Sequence, residues 1–139
     1  MNQTNNTTAL PLVARLLLAA IFIVSGIGKI AAPAGVIGYI SAMGLPFPVV
    51  GLGIAIGVEV VGGLMLATGL YTRAVAVILA IFSVVTAVIF HGNIADQNQF
   101  IHFMKNFAMA GGLLQVAAFG AGTLSLDALR NKGRRIAAA

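Results

Sequence analysis

Cysteine and tryptophan are both missing from this 139-residue chain. Without cysteine there is no disulfide staple, no thiol nucleophile, no thiolate metal site and no dithiol relay. Without tryptophan, the interfacial aromatic belt of a membrane protein has to rest on Tyr39, Tyr71 and the phenylalanines. Charge is the third scarcity. Only 8% of the residues are charged and three are acidic, whereas a soluble domain carries about 25% charged residues. So few charges cannot cover a surface in water. With 60% hydrophobic residues, the chain reads as an all-α integral membrane protein. Its length suits a bundle of about four spans at roughly 20 residues each.

The formal net charge of +5 raises the question of nucleic acid, and the positions answer it. Arg130, Lys132, Arg134 and Arg135 cluster near the C-terminus, where they read as a topology signal and an attraction to anionic lipid. Nucleic acid is not among the expected partners. Residues 1–8 form a polar, uncharged N-terminal tail. A cleavable signal peptide wants a basic start and a short apolar core, but here the apolar run is longer and contains Arg15 and Lys29. It reads as a retained first span.

Four apolar segments follow, at about 9–30, 49–70, 74–90 and 103–121, within a membrane domain covering 9–122. All are expected to be helices, because a lipid-exposed backbone must satisfy its own hydrogen bonds. The connection 31–48 carries Val36, Ile37, Ile40 and Met43 at helical spacing, which predicts one or two turns at the interface or capping the bundle. Tyr71-Thr72-Arg73 makes a tight hairpin between the second and third spans. His91 to His102 is the most polar connection. Arg73 and the basic tail 123–139 fall on one side of a four-span chain. The positive-inside rule makes that side cytoplasmic, with both termini there. A repeat is visible as well: Ala20-Ile21-Phe22 resembles Ala80-Ile81-Phe82, and Gly62-Gly63-Leu64 resembles Gly111-Gly112-Leu113. Two copies of a helical hairpin would produce it.

Glu59 is the single charged residue of the second span and sits at its middle. A carboxylate at the bilayer midplane costs about 2.5–3.5 kcal/mol on insertion scales, so it needs a partner, a proton or both. Arg15, Ala19, Phe22, Gly26 and Lys29 fall on one stripe of the first span. That stripe is basic at both ends and mostly small between, as a helix-facing surface should be. Glycines at 51, 53, 57, 62, 63 and 69 give the second span either close helix contact or a groove for a flat ligand. Lys29, His91, His102, Lys105 and Asn106 gather at one end, above Glu59. They define a candidate polar cluster in which Lys29 or Lys105 meets the carboxylate. The alternative for such a pair is to fix helix register without function. No two of Glu59, His91, Asp96 and His102 have the spacing of a helical metal site, so no metal is expected. No phosphate-binding loop, dinucleotide fingerprint or nucleophile elbow is present.

The order of these pieces resembles the DoxX family of small bacterial inner-membrane proteins. The matching residues are Ser25-Gly26-Ile27-Gly28-Lys29 with Pro33, then Gly57-Val58-Glu59-Val60-Val61-Gly62-Gly63. Gly69-Leu70-Tyr71-Thr72-Arg73 follows at the hairpin, and His102-Phe103-Met104-Lys105-Asn106 leads to Gly111-Gly112. The resemblance implies a four-helix inner-membrane protein. Some relatives are linked to sulfur-compound oxidation feeding quinone, others to oxidative-stress complexes with soluble partners. The positions it singles out are Lys29, Glu59, Arg73, His102, Lys105 and Asn106. Relatives that use a cysteine pair are no guide to a chain without cysteine.

Three functions fit these residues. The first is a subunit of a membrane oxidoreductase system, without a redox centre of its own, that binds quinone or a similar amphipathic molecule. The second is a non-catalytic anchor or assembly factor for a soluble partner. The third is a proton-coupled transport component, for which four helices would need a homo-oligomer.

Overall fold

The computed structural model describes residues 3–138, and among them it contains helices and no strands. Helix α1 runs Gln3–Ala31 and therefore takes most of the polar tail 1–8 into its first turns. Helix α2, Pro33–Ala42, follows a single-residue break at Ala32. It makes nearly three turns, more than the spacing in this connection predicts. Proline at its first position suits a helix start, where the missing N–H is not needed.

The second span is built from α3 (Pro48–Ile56), one wide π-helical turn (Gly57–Val61) and α4 (Gly62–Thr68). Gly69 ends it with φ +73, a left-handed conformation that glycine adopts without a Cβ penalty. Helix α5 occupies Thr72–Phe90, α6 Gln97–Phe119 and α7 Leu126–Ala137. The polar connection after α5 is shorter than the sequence suggests. Asp96 accepts a 2.8 Å hydrogen bond from the Gln99 backbone N–H and so starts α6 at Gln97. The N-cap satisfies a donor that a helix start otherwise leaves open.

Among the described residues, three segments are long and apolar enough to cross a bilayer: Thr8–Ala31, Pro48–Thr68 and Thr72–Phe90. Helix α6 has 23 residues but is interrupted by polar side chains. It runs antiparallel to α5 along its whole length, from the His91–His102 ring contact at one end to Arg73 against Gly120 at the other. Helix α1 packs on the second span and touches α6, while α4 packs on α5.

The shared core is made of small and medium side chains, among them Ala19, Leu66, Ala76, Leu79, Ala110 and Leu113. Close approach depends on glycine at two places. A Cβ on Gly63 would stand 2.7 Å from Ile23 Cγ1, and one on Gly26 would stand 2.6 Å from Val60 Cγ2. Large apolar residues such as Leu17, Val24, Val61 and Ile81 point outward and are exposed. A soluble protein rarely shows apolar surface of this extent. In lipid it is the expected exterior.

Candidate functional site

The inward stripe of α1 is present as the spacing predicts: Arg15, Ala19, Phe22 and Gly26 are buried and Lys29 is partly so. It delivers Lys29 to the carboxylate of Glu59, which is 5% exposed. Lys29 Nζ donates a hydrogen bond of 2.9 Å to Glu59 Oε1 and lies 2.8 Å from Oε2. This is the one salt bridge among the described residues. The lysine thus sits against both carboxylate oxygens, and Oε2 is enclosed beneath it. Ser25, one turn before Lys29, accepts from the lysine at 2.8 Å and donates to Oε1 at 3.1 Å. Ser25 was not singled out as a site residue in the sequence. An uncharged hydroxyl on a helix gives no signal beyond its i, i+4 spacing to Lys29.

Glu59 is the central residue of the π-helical turn. Such turns are rare and recur at functional sites. Here the turn begins at Gly57 and lies against α1, with Gly26 opposite Val60 and Glu59.

The carboxylate opens onto a cleft of about 850 Å³ at the Lys29 end of the molecule. The walls are mostly apolar and include Phe22, Ile40, Ile54, Phe82 and Met109. The polar groups opposite the ion pair come from the ends of α5 and α6: Thr86, His91, His102 and Asn106. Asn106 is held by its Nδ2, which donates to the His102 carbonyl at 2.9 Å, and Thr86 Oγ1 lies 3.4 Å from its Oδ1. His91 Nδ1 is 2.7 Å from Gln99 Oε1, and its ring stacks on His102 with centroids 5.0 Å apart. Helix α2 closes one side. Its Tyr39 hydroxyl donates to the Phe90 carbonyl at 3.0 Å, the two rings 5.5 Å apart, while Ile40 is buried against Gly51 of α3.

Of the six residues expected in the cluster, Lys29, Glu59, His91, His102 and Asn106 line this one cleft. Lys105 does not. It is exposed, because the inward face of α6 follows His102, Asn106, Met109 and Leu113, and one residue back from Asn106 is a rotation of about 100°. The lysine that meets Glu59 is therefore Lys29. Among the described residues no group of three or more metal-ligating side chains is assembled.

At the opposite end, Arg15 is 1% exposed. Its Nη1 donates to the carbonyls of Leu66 (3.2 Å) and Ala67 (3.4 Å), and its Nη2 to Leu124 (2.6 Å). It caps the C-terminal end of the second span, where carbonyls lack helical partners and a cation is favoured. Asp127 of α7 accepts from the backbone N–H groups of Tyr71 (2.9 Å) and Thr72 (2.8 Å), and its own N–H donates to the Gly69 carbonyl at 2.9 Å. Partial burial alone would raise the Asp127 pKa. The hydrogen bonds from Thr72 and Tyr71 and the nearby Arg130 outweigh it and hold the carboxyl below its usual range. The basic tail is therefore a helix docked on the hairpin. Ser125 caps it by accepting from the Ala128 N–H at 3.2 Å.

Helices with lipid-facing exteriors and a buried ion pair define a multi-pass membrane protein. Comparison with known proteins narrows this. The DoxX family model matches residues 10–92, from α1 to the end of α5. The chain belongs to the DoxX family and is an integral protein of the bacterial inner membrane. Inner membrane protein YqjF of Escherichia coli (strain K12) is 42% identical over 121 residues, covering 87% of this chain and 92% of the relative. Inner membrane protein YphA of the same organism is 35% identical over 122 residues, covering 84% and 86%. No solved structure matches the chain. Lys29, Glu59 and His91 lie inside the family match, and His102 and Asn106 lie beyond it.

Proposed function

We propose that this protein binds quinone, or an amphipathic molecule like it, in the cleft beside Glu59, and serves as the membrane subunit of an oxidoreductase system. The observation that carries this reading is a buried Lys29–Glu59 ion pair in the wall of a mostly apolar space of about 850 Å³. Ligand sites have this character: apolar walls and a few convergent polar groups. Flat apolar rings suit the walls of Phe22, Phe82 and Met109, and ring oxygens suit the His102 and Glu59 ends. When bound, a quinone supplies two-electron redox chemistry, with the electrons delivered by a partner protein. Lys29 and Ser25 hold the Glu59 carboxylate in place, and the Lys29–Glu59 pair is the group placed to exchange a proton with a ring oxygen.

In this reading α6 is the fourth span of a four-helix bundle, since it parallels the whole of α5. The end carrying Arg73 and α7 faces the cytoplasm, and both termini lie there. A second reading, an anchor or assembly factor for a soluble partner, is favoured by one observation: α7 is docked to the bundle yet leaves most of its length exposed. Proton-coupled transport has no comparable observation behind it.

The test is equilibrium binding of a short-tailed ubiquinone to protein in neutral-lipid nanodiscs. Saturable binding is expected, weakened about tenfold or more in Glu59→Gln, the scale of a hydrogen bond to a charged group. Equal binding by the wild type and Glu59→Gln would end the assignment.

A further inference from the structure

A second opening lies at the Arg15 end, remote from Glu59. It is a groove of about 560 Å³ between the start of α5, the end of α6 and one face of α7. Three guanidinium groups line it, Arg73, Arg130 and Arg134, with Asp127 as the one acid. Three positive charges and one negative leave a net charge of two. Asp127 is already engaged by the Tyr71 and Thr72 N–H groups. Arg130 lies 4.3 Å from the Tyr71 ring centroid and donates to its hydroxyl at 3.2 Å. Arg73 and Arg134 have no hydrogen bond or ion pair among the described residues. Arg73 nonetheless lies close against the chain. A Cβ on Gly120, where φ is +87, would come within 3.4 Å of its Nε.

Guanidinium groups gathered in a concave site attract an anion, and phosphate matches their planar fork. The rim identifies the source of the phosphate. Phe119 at the lip is 80% exposed. Helix α7 carries Leu126, Leu129 and Ile136 along one exposed face, with its basic residues on the others. A short helix of that kind lies in the membrane interface with its apolar side toward the acyl chains. We infer that the groove is a binding site for an anionic glycerophospholipid. The phosphate sits between Arg73 and Arg134, and an acyl chain runs past Phe119. A free phosphate would use the arginines but not the apolar rim, and an acidic soluble protein would have no use for Phe119. The net charge of two suits a lipid with two phosphodiesters better than one with a single phosphodiester.

The experiment uses the full chain in a neutral detergent, where no charged surface contributes. Thermal unfolding and native mass spectrometry are followed with dioctanoyl phosphatidylglycerol, tetraoctanoyl cardiolipin, dioctanoyl phosphatidylcholine and inorganic phosphate. The anionic lipids should stabilise the protein and stay bound, cardiolipin more tightly, with no effect from phosphatidylcholine or phosphate at the same concentration. Arg73→Ala and Arg134→Ala should each weaken lipid binding about tenfold, as loss of a charge-assisted hydrogen bond does. Because neither arginine has a partner within the chain, both variants should fold. Lys132→Ala and Arg135→Ala, outside the groove, should bind like the wild type. An equal response to inorganic phosphate would make this a free-anion site and overturn the lipid assignment. Equal losses in Lys132→Ala and Arg73→Ala would mean diffuse attraction without a site. Binding of a polyglutamate peptide with no response to lipid would assign the groove to a soluble partner instead.

Discussion

Arg15 and Glu59 are both charges buried among apolar helices, and their surroundings differ in what is left over. Arg15 spreads two of its nitrogens over three carbonyls and lies beside Gly69 and Ser125, with only Nε unpaired. Nothing can enter there. Glu59 has a lysine and a serine on one side and a cleft on the other. A charge enclosed by backbone closes a structure, and an ion pair in the wall of an apolar cleft offers a polar group to a ligand. The contrast predicts that changes at the Arg15 end cost stability first and changes at the Glu59 end cost binding first.

The sharpest way to break this comparison is Arg15→Met. It leaves three carbonyls without their cation and should destabilise the protein by about 3–5 kcal/mol, since each abandoned buried acceptor costs about 1–3 kcal/mol. Thermal unfolding in detergent reads it. A loss below about 1 kcal/mol would show that the cap is incidental.

Next in size is the ion pair. Lys29→Met leaves a buried carboxylate without its cation, and should cost about 2 kcal/mol because the lysine is itself partly exposed. The double variant Lys29→Met/Glu59→Leu should recover most of that stability while binding no quinone. Separate recovery of the two properties would distinguish a ligand site from a register-fixing pair. If the double variant binds as the wild type does, the cleft works without its charges.

Gly63→Ala should cost about 1–3 kcal/mol, because Ile23 and the Ala19 carbonyl leave no room for a methyl group. Gly57→Ala, with nothing within 4 Å of its added Cβ, should be nearly silent. Equal effects of the two would contradict the packing described.

The smallest effect concerns α7. The folded pKa of Asp127 is depressed, so its contribution is complete above its ordinary value and fades as pH falls through the lower, folded value. Hydrogen exchange in α7 should therefore quicken as pH drops below about 4, after correction for the intrinsic rate. Asp127→Asn should remove that dependence and cost about 1 kcal/mol.

Much of this was legible in the sequence for a definite reason. Apolar runs reveal spans, and when charges are scarce the few present must find one another, so Glu59 and the Lys29 stripe pointed to a single meeting place. Lys105 was equally near in sequence terms, and only the rotation of α6 decided against it. Arg15 and Asp127 work through backbone carbonyls and N–H groups, which every residue possesses, so no pattern marks their partners. The role of Tyr39 and the wide turn around Glu59 depend on where α2 and α1 come to rest, which is a property of the assembled helices.

The edge where α2 meets α5 bears on traffic. One hydrogen bond from Tyr39 and one ring contact with Phe90 hold it, each worth about 1 kcal/mol. On its α3 side the helix is anchored by Ile40. The short helix is thus packed on α3 and α1 and held to α5 by one light contact. For a ligand of the proposed kind, release of that light contact would open a side way into the cleft that leaves the long helices together.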